Sequence, residues 1–348
     1  MRTLVISDLH LGSLLDRDVL RRPQALAILE SRVAQMDRLV LLGDTLELLE
    51  GRPAAAREAA RPVLTTLGAA LGSSGQVVVV PGNHDHALIR NWLSQRMKGG
   101  QPLRLSTQVP RGASELLDEL CSWLAPAQVE VRYPGIWLGD GIFAMHGHYG
   151  DRHVLGALAW WGGDEPPEQL SVSDYERAPG ADSGALTEAV ASAMPDQLAD
   201  GLELGAGLLR QAMLRGLPVA AKLPGAANVA AVAALVVEQG IHRRGFLPAI
   251  AEVSERLDIP AETVIFGHIH RRGPLSDDPE GMWTPAGADG PTLLNTGSWV
   301  YDSALVRPPG AGQNGYRPGG AVIIEDGKEP RSVDLLSGVA DEVLRGRA

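Results

Sequence analysis

Short apolar runs alternate with longer stretches of helical periodicity along the first part of the chain. Thr3–Ser7, Arg38–Leu42 and Gln76–Val80 are mostly apolar and rich in β-branched residues, which predicts strands buried on both faces. Between them, Pro23–Gln35 and Ala54–Leu71 carry apolar residues at helical spacing. Strands that alternate with helices in this way predict an α/β fold whose sheet begins with parallel crossover units.

Further strands are predicted later in the chain and complete the sheet. Gly320–Glu325 and Arg331–Leu335 flank a turn formed by Asp326 and Gly327, and we expect them to pair antiparallel. Apolar runs also predict strands at Gly141–Met145, Thr263–Phe266 and Thr292–Asn295.

Residues 150–245 interrupt this pattern. Only five residues of the forty from 201 to 240 are charged, and helices are predicted at Ala185–Met194, Leu202–Leu214 and Asn228–Gln239. We therefore expect a core made of residues 1–149 and 246–340, with 150–245 as a mostly helical insertion or cap. The alternative is that this segment completes the core. A cap with an exposed apolar face would suit an acylated or prenylated substrate, or peripheral contact with a membrane.

Charge and cysteine content restrict the function classes. The formal net charge of −11 argues against a general nucleic-acid partner, which requires a basic surface. Cys121 is the only cysteine, so no intrachain disulfide can form, which fits a reducing compartment. The first residues, Met1–Ile6, have the pattern of a strand rather than that of a signal peptide. A cytoplasmic location, with or without peripheral membrane contact, is therefore expected.

Clusters of His, Asp and Asn follow the predicted strands. Seven of the nine histidines lie in or beside these clusters. Side chains at the carboxyl ends of strands meet at one edge of an α/β sheet, where such sheets bind their ligands. The five clusters are SDLHLG (Ser7–Gly12), GDTLE (Gly43–Glu47), GNHD (Gly82–Asp85), HGH (His146–His148) and GHIH (Gly267–His270).

The residue types in these clusters predict a metal site. Asp8 and His10 alternate along an extended chain, so both side chains can reach one cation. The carboxylate of Asp44, at the next strand end, is placed to bridge two cations. Mixed imidazole and carboxylate ligands suit Mn²⁺, Fe or Zn²⁺ better than Mg²⁺ or Ca²⁺. The other candidate ligands are Asn83, His146, His268 and His270.

The order and spelling of the clusters resemble the calcineurin-like metallophosphoesterase family, whose motifs run D-x-H, G-D-x-x-[DE], G-N-H-[DE], H and G-H-x-H. The resemblance implies a four-layer αββα sandwich with two divalent metal ions, for which Mn²⁺ is favoured here. It further implies that Asp44 bridges the two ions. By motif position, one ion would be held by Asp8, His10 and His270, and the other by Asn83, His146 and His268.

The same resemblance implies a mechanism. Two cations roughly 3.5–4 Å apart can bind a bridging hydroxide that attacks phosphorus, while His84 stabilises or protonates the leaving oxygen. Asp85 is expected to orient His84. Glu47, His148 and Arg271 are candidates for substrate contact or for support of the ligands.

The motifs also suggest a substrate class, namely a small or lipid-linked phosphoester or pyrophosphate. ISDLHLG and LLGDTLE resemble the branch that contains UDP-2,3-diacylglucosamine pyrophosphatases, although that branch has Arg at the position of His84. Two alternatives are a nuclease of the same superfamily and a non-catalytic metal-binding scaffold.

Overall fold

The computed structural model describes residues 1–13, 16–49, 52–154, 168–177, 245–287, 290–302, 305–306 and 313–346. The chain divides into two compact units, Met1–Gly147 with Ile259–Ala348, and His148–Asp258. The helices predicted at Ala185–Met194, Leu202–Leu214 and Asn228–Gln239 lie outside the described residues. The proposal that 150–245 forms a cap therefore stays a prediction.

Ten strands of the first unit, as far as the chain is described, join into one hydrogen-bonded sheet of order β10-β9-β1-β2-β3-β5-β6-β7-β8, with β4 paired to β5. The strands are β1 (Arg2–Ile6), β2 (Arg38–Leu42), β3 (Gln76–Val80), β4 (Ser106–Gln108), β5 (Gln128–Gly139), β6 (Ile142–Met145), β7 (Thr263–Phe266), β8 (Thr292–Asn295), β9 (Gly320–Glu325) and β10 (Arg331–Asp334).

The pairing of these strands confirms the predicted topology at both ends of the chain. β1, β2 and β3 are parallel, with Val5 opposite Val40 and Val40 opposite Val78. β9 and β10 are antiparallel. Helices connect the parallel strands because a crossover is the only way to return the chain to the same edge of the sheet.

The long strand β5 was not predicted from the sequence, because Pro134 and Gly135 interrupt it and both residues are disfavoured in strands. Its first part pairs parallel with β3 and its second part antiparallel with β6. It therefore belongs to both halves of the sheet.

One apolar core lies between the two halves of this sheet. Val40 of β2 and Val78 of β3 lie in one half of the sheet. They pack in the same buried cluster as Ile136 from the second part of β5, Ile265 of β7 and Leu294 of β8, which lie in the other half. Since strands that are not neighbours share this cluster, the two halves face each other as two layers of a sandwich. The mixed α/β architecture predicted from the sequence is confirmed.

Four of the first unit's helices are α1 (Pro23–Val33), α2 (Pro53–Leu71), α3 (Arg90–Lys98) and α4 (Glu115–Trp123). The two predicted helices, α1 and α2, are present, and each begins with a proline, whose fixed φ angle suits the first helical position. Short 3₁₀ turns lie at Val19–Arg21 and His86–Leu88.

The described part of the second unit contains α5 (Asp151–Val154), α6 (Val172–Arg177) and a helical segment at 245–256, which we name α7, together with a 3₁₀ turn at His148–Gly150. Tyr149 and Tyr175 stack with ring centroids 4.6 Å apart. His153 Nε2 lies 2.7 Å from the Tyr175 hydroxyl.

The first unit contains one more short helix near its C-terminus, α8 (Asp341–Leu344). In the described part of the chain, no helix combines the length and apolar character needed to cross a membrane.

Candidate metal centre

The motif residues of the first unit converge at the carboxyl ends of five strands. Asp8 follows β1, Asp44 follows β2, Asn83 follows β3, His146 follows β6 and His268 follows β7. Among the described residues, three groups bring potential ligand atoms within 4.8 Å of one another. These groups are Asp8 with His10 and His270, His10 with Asp44 and His84, and Asp44 with His146 and His268.

The backbone is left-handed at the motif residues themselves. Asp8, His10, Asp44, His268 and His270 have φ angles of 55°, 43°, 52°, 68° and 56°. Each such non-glycine residue costs about 1–3 kcal/mol, and conformations of this kind cluster at functional sites. The fold thus holds these side chains in orientations that an unconstrained chain would avoid.

Glycine at position 267 is required because two side chains approach its Cα closely. A methyl group at Gly267 would overlap Ser7 Oγ and Asp8 Oδ2. The glycine of the GHIH motif therefore lets the Asp8 carboxylate lie directly against the backbone that carries His268 and His270.

We expect Gly267→Ala to destabilise the protein by about 1–3 kcal/mol, the usual cost of overpacking a dense site. It should also weaken metal binding, because Asp8 must move. Gly338→Ala is the matched control, since nothing lies within 4 Å of the added methyl group. Denaturant unfolding checks the prediction, which fails if the two variants are equally stable.

The ring of His10 directs a lone pair at other acceptors. Its Nδ1 lies 2.9 Å from Glu47 Oε2, so this nitrogen carries the proton. Its Nε2 lies 3.1 Å from His270 Nε2, 3.8 Å from Asp8 Oδ1 and 3.7 Å from Asp44 Oδ2. Lone pairs that converge in this way are stable only around a proton or a cation.

His146 has the same arrangement on the other side of Asp44. Its Nδ1 donates to the carbonyl oxygen of Leu42 at 3.0 Å. The opposite nitrogen, Nε2, lies 3.1 Å from Asp44 Oδ2 and 3.1 Å from Asn83 Oδ1. The ring of His268 is close by, with its centroid 5.3 Å from that of His146.

Charge at the centre is negative and buried. Burial alone would raise the pKa of Asp8 and of Asp44, but the neighbouring imidazoles hold both pKa values below the usual range. Burial likewise opposes the low pKa of Glu47, which its contacts with His10 and His84 produce. All three carboxyl groups are therefore ionised at neutral pH, as metal ligands and their supporting groups must be.

In the metal-free chain, protons sit where a cation would bind. Burial lowers the pKa of His146, but the charge of Asp44 outweighs it and raises the pKa to about 9. Burial also opposes the raised pKa of His10, which Asp8 and Glu47 produce. Metal binding at such ligands displaces these protons.

Glu47, and not Asp85, contacts the ring of His84. Both oxygens of Glu47 lie within 3.0 Å of His84 Nδ1, while the backbone N–H of His84 donates to Asp44 Oδ1 at 2.8 Å. The expectation that Asp85 orients His84 is thus wrong. The fifth position of GDTLE, Glu47, carries the partner; the motif singles this residue out without showing which histidine it contacts.

Asp85 instead ties two motif loops together. It is fully buried and accepts hydrogen bonds from the backbone N–H groups of Gly82 at 2.6 Å, Thr45 at 2.8 Å and Leu46 at 3.4 Å. Burial, followed by the nearby charge of Asp44, raises the pKa of Asp85 to about 6. It fixes the loop of GNHD against the loop of GDTLE.

Two other sequence candidates lie in different surroundings. His148 belongs to the second unit, where its ring lies against Tyr149. Arg271 pairs with the carboxylate of Asp278 and lies over the Trp283 ring at 5.4 Å. The charge of Arg271 is therefore compensated within its own loop, and substrate contact by His148 or Arg271 stays a prediction.

The donor set at this centre is the kind that holds transition-metal cations. Imidazole nitrogens, carboxylate oxygens and one amide oxygen converge on two sides of Asp44. The acceptor atoms gathered around Nε2 of His10 repel one another unless a positive charge lies between them, and the same holds for the acceptor atoms around Nε2 of His146. Such a site fits a protein that works with two divalent cations.

Comparison with protein families agrees with this geometry. A family model for calcineurin-like phosphoesterases matches residues 1–180 of the 348. The chain therefore belongs to the calcineurin-like phosphoesterase family, and it is a metal-dependent phosphoesterase. A comparison with curated proteins finds none that matches the chain.

Proposed function

We propose that the protein hydrolyses a small or lipid-linked phosphoester or pyrophosphate with two divalent cations bound on either side of Asp44. The observation that carries the proposal is the convergence of acceptors at the two rings of His10 and His146. Among the described residues, Asp8 and Asp44 form their ion pairs with histidines and with no Lys or Arg. Their negative charge is available to cations.

The first unit supplies a ligand set for each cation. Asp8, His10 and His270 would hold one cation, since their ligand atoms already lie together. The other cation would be held by Asn83, His146 and His268, and Asp44 would bind both. Mn²⁺ suits this mixed set best, with Fe and Zn²⁺ as alternatives. Bound divalent cations polarise the phosphoryl oxygens and lower the pKa of water.

His84 is placed to assist the leaving group. Its Nδ1 is occupied by the Glu47 carboxylate, which leaves Nε2 to face a substrate. The same carboxylate favours the protonated ring, and Asp44 and Glu47 raise the pKa of His84 although burial opposes them. A protonated imidazole can stabilise or protonate the leaving oxygen. His84 occupies the position at which the G-N-H-[DE] motif of the family has its histidine.

The substrate class is inferred from charge and from the apolar sequence of the insertion. The formal net charge of −11 disfavours a nucleic-acid substrate, so a phosphorylated small molecule or lipid is the proposed partner. The apolar residues between 201 and 240 would suit an acyl or prenyl tail. This part of the proposal includes peripheral contact with a membrane and a cytoplasmic location.

A substrate panel tests the proposal. Purified protein with Mn²⁺ is expected to hydrolyse at least one of p-nitrophenyl phosphate, bis-p-nitrophenyl phosphate, a UDP-sugar and an acylated UDP-sugar, and to leave single-stranded DNA intact. Removing the metal with a chelator should abolish that activity, and adding Mn²⁺ back should restore it, because no Lys or Arg in the described part of the chain pairs with Asp8 or Asp44. Released product is measured against time.

Two outcomes would contradict the proposal. Turnover that resists complete chelation would show that the cations are not part of the reaction. Hydrolysis of single-stranded DNA, with no turnover of the small substrates, would indicate a nuclease instead.

A further inference from the structure

Two buried hydroxyl groups stand behind the Asp8 carboxylate. Ser7 Oγ contacts Asp8 Oδ2 directly, and Thr296 Oγ1 lies 2.5 Å from Ser7 Oγ. Ser7 follows β1 and Thr296 follows β8, so the contact joins strand ends that are 289 residues apart in sequence. Both side chains are at most 1% exposed, and water cannot replace either hydroxyl.

The direction of the hydrogen bonds follows from the role of Asp8. A carboxylate that binds a cation is deprotonated and can only accept. Ser7 must therefore donate to Asp8, which uses its only hydroxyl proton. Thr296 must in turn donate to Ser7 at 2.5 Å, in preference to the carbonyl oxygen of Phe266 at 3.3 Å, because Ser7 has no second proton for this contact. The result is a directed chain from Thr296 through Ser7 to Asp8, in which each bond polarises the next.

This chain distinguishes the two oxygens of Asp8. Oδ2 receives the Ser7 hydroxyl, whereas the backbone N–H of His268 is shared between the two oxygens, at 3.0 Å from Oδ2 and 3.2 Å from Oδ1. Oδ1 lies 3.3 Å from His270 Nε2 and 3.8 Å from His10 Nε2, on the side of the ligand cluster. Oδ1 is therefore the oxygen that faces the place where a cation would bind, while the Ser7 hydroxyl occupies Oδ2.

The turn that carries Thr296 is itself held rigidly. The side chain of Asn295 donates to the carbonyl oxygen of Gly267 at 2.6 Å and accepts from the N–H of Gly297 at 2.8 Å. The N–H of Thr296 donates to the carbonyl oxygen of Phe266 at 2.9 Å. The hydroxyl of Thr296 is thus fixed relative to the loop that carries the GHIH motif.

We propose that Ser7 and Thr296 are positioning residues that make Asp8 a one-oxygen ligand for the cation held with His10 and His270. This inference rests on the proposed function, since it assigns a cation to that ligand set. The hydroxyl pair touches no substrate. It acts through Asp8, in the way that outer groups orient metal ligands in other sites.

Titration of metal-free protein with MnCl₂ in a calorimeter tests the inference. The wild type is expected to bind two Mn²⁺ ions. Ser7→Ala and Thr296→Val should each weaken one of the two sites by about 10–100-fold, the usual effect of losing such a supporting group, and leave the other site unchanged. Thr296→Ser, which keeps the hydroxyl, should bind like the wild type.

Thermal unfolding of the metal-free variants shows whether each variant is folded, so that weaker metal binding is not confused with a loss of structure. Ser7→Ala alone tests the inference if Thr296→Val does not fold. The inference is overturned if the wild type binds two ions and both hydroxyl-deleting variants bind them with unchanged affinity. It is also overturned if both sites weaken equally, which would indicate a general loosening. Failure of the wild type to bind Mn²⁺, Fe²⁺ or Zn²⁺ would instead contradict the proposed function.

Discussion

Replacing Asp44 by Asn is expected to lower phosphoester hydrolysis by about a thousandfold or more while the protein still folds. Bound cations contribute several kcal/mol to such reactions, and each 1.36 kcal/mol corresponds to about a tenfold change in rate. The loss should be this large because Asp44 belongs to two of the three ligand groups in the described part of the chain.

Asparagine has almost the same shape as aspartate, so it separates charge from packing. Its amide oxygen can still accept the backbone N–H of His84, which Asp44 Oδ1 accepts at 2.8 Å. It cannot supply the negative charge that faces His10 and His146 at 3.7 Å and 3.1 Å. Both cations should therefore bind more weakly, and a cation that still binds should be poorly placed for the reaction.

The measurement is the rate of hydrolysis with saturating Mn²⁺, together with metal content after gel filtration. Asp140→Asn is the matched control, because Asp140 is an exposed carboxylate in the turn between β5 and β6. This substitution changes the net charge by the same amount as Asp44→Asn. Asp140→Asn should retain full activity. Unaltered turnover in a folded Asp44→Asn protein would be incompatible with the two-cation site.

The second large effect is expected for His84→Ala, and it should depend on the leaving group. General acid assistance contributes about 10²–10⁴-fold. Nitrophenolate is a weak base and leaves without help, so p-nitrophenyl substrates should lose little. An alkyl phosphoester, whose leaving oxygen is strongly basic, should lose activity over that full range.

Glu47→Gln should reproduce part of this dependence. The Glu47 carboxylate contacts Nδ1 of His84 and Nδ1 of His10, so its loss affects the acid and one ligand together. We expect a decrease of about 10–100-fold, as for other groups that orient ligands. Asp85→Asn should mainly lower stability, because the hydrogen bonds that Asp85 accepts within the described residues all come from backbone N–H groups.

Rates on aryl and alkyl esters of the same acid, measured for all three variants, check these expectations. If His84→Ala lowered both rates equally, His84 would support metal binding rather than the leaving group. If Asp85→Asn showed the larger leaving-group effect, the pairing of Glu47 with His84 would not be the functional one.

Much of the metal centre was predictable because its motifs are local. Each cluster follows a strand made of β-branched and apolar residues, and strand ends of an α/β sheet meet at one edge. That rule alone brings Asp8, Asp44 and His146 together, although His146 lies 102 residues beyond Asp44 in the chain. The structure confirms that these three residues lie at one site.

The partner of His84 was not predictable from adjacency. Asp85 follows His84 directly, which suggested a pair, but neighbouring side chains diverge in this turn, and Asp85 is directed to backbone N–H groups. Glu47 reaches His84 from another loop, 37 residues away. Such a contact depends on how two loops pack, and no local pattern encodes it.

The sequence by itself predicted the parallel crossover units at the start of the chain, the antiparallel pair near its end and the motif residues, because burial and strand propensity act over a few neighbouring residues. The resemblance of the motifs indicated the enzyme class. Only the tertiary structure decided which oxygen of Asp8 faces His270, that Ser7 and Thr296 stand behind it, and that β5 joins the two halves of the sheet. Those features depend on contacts between distant segments, whose geometry is fixed only when the core packs.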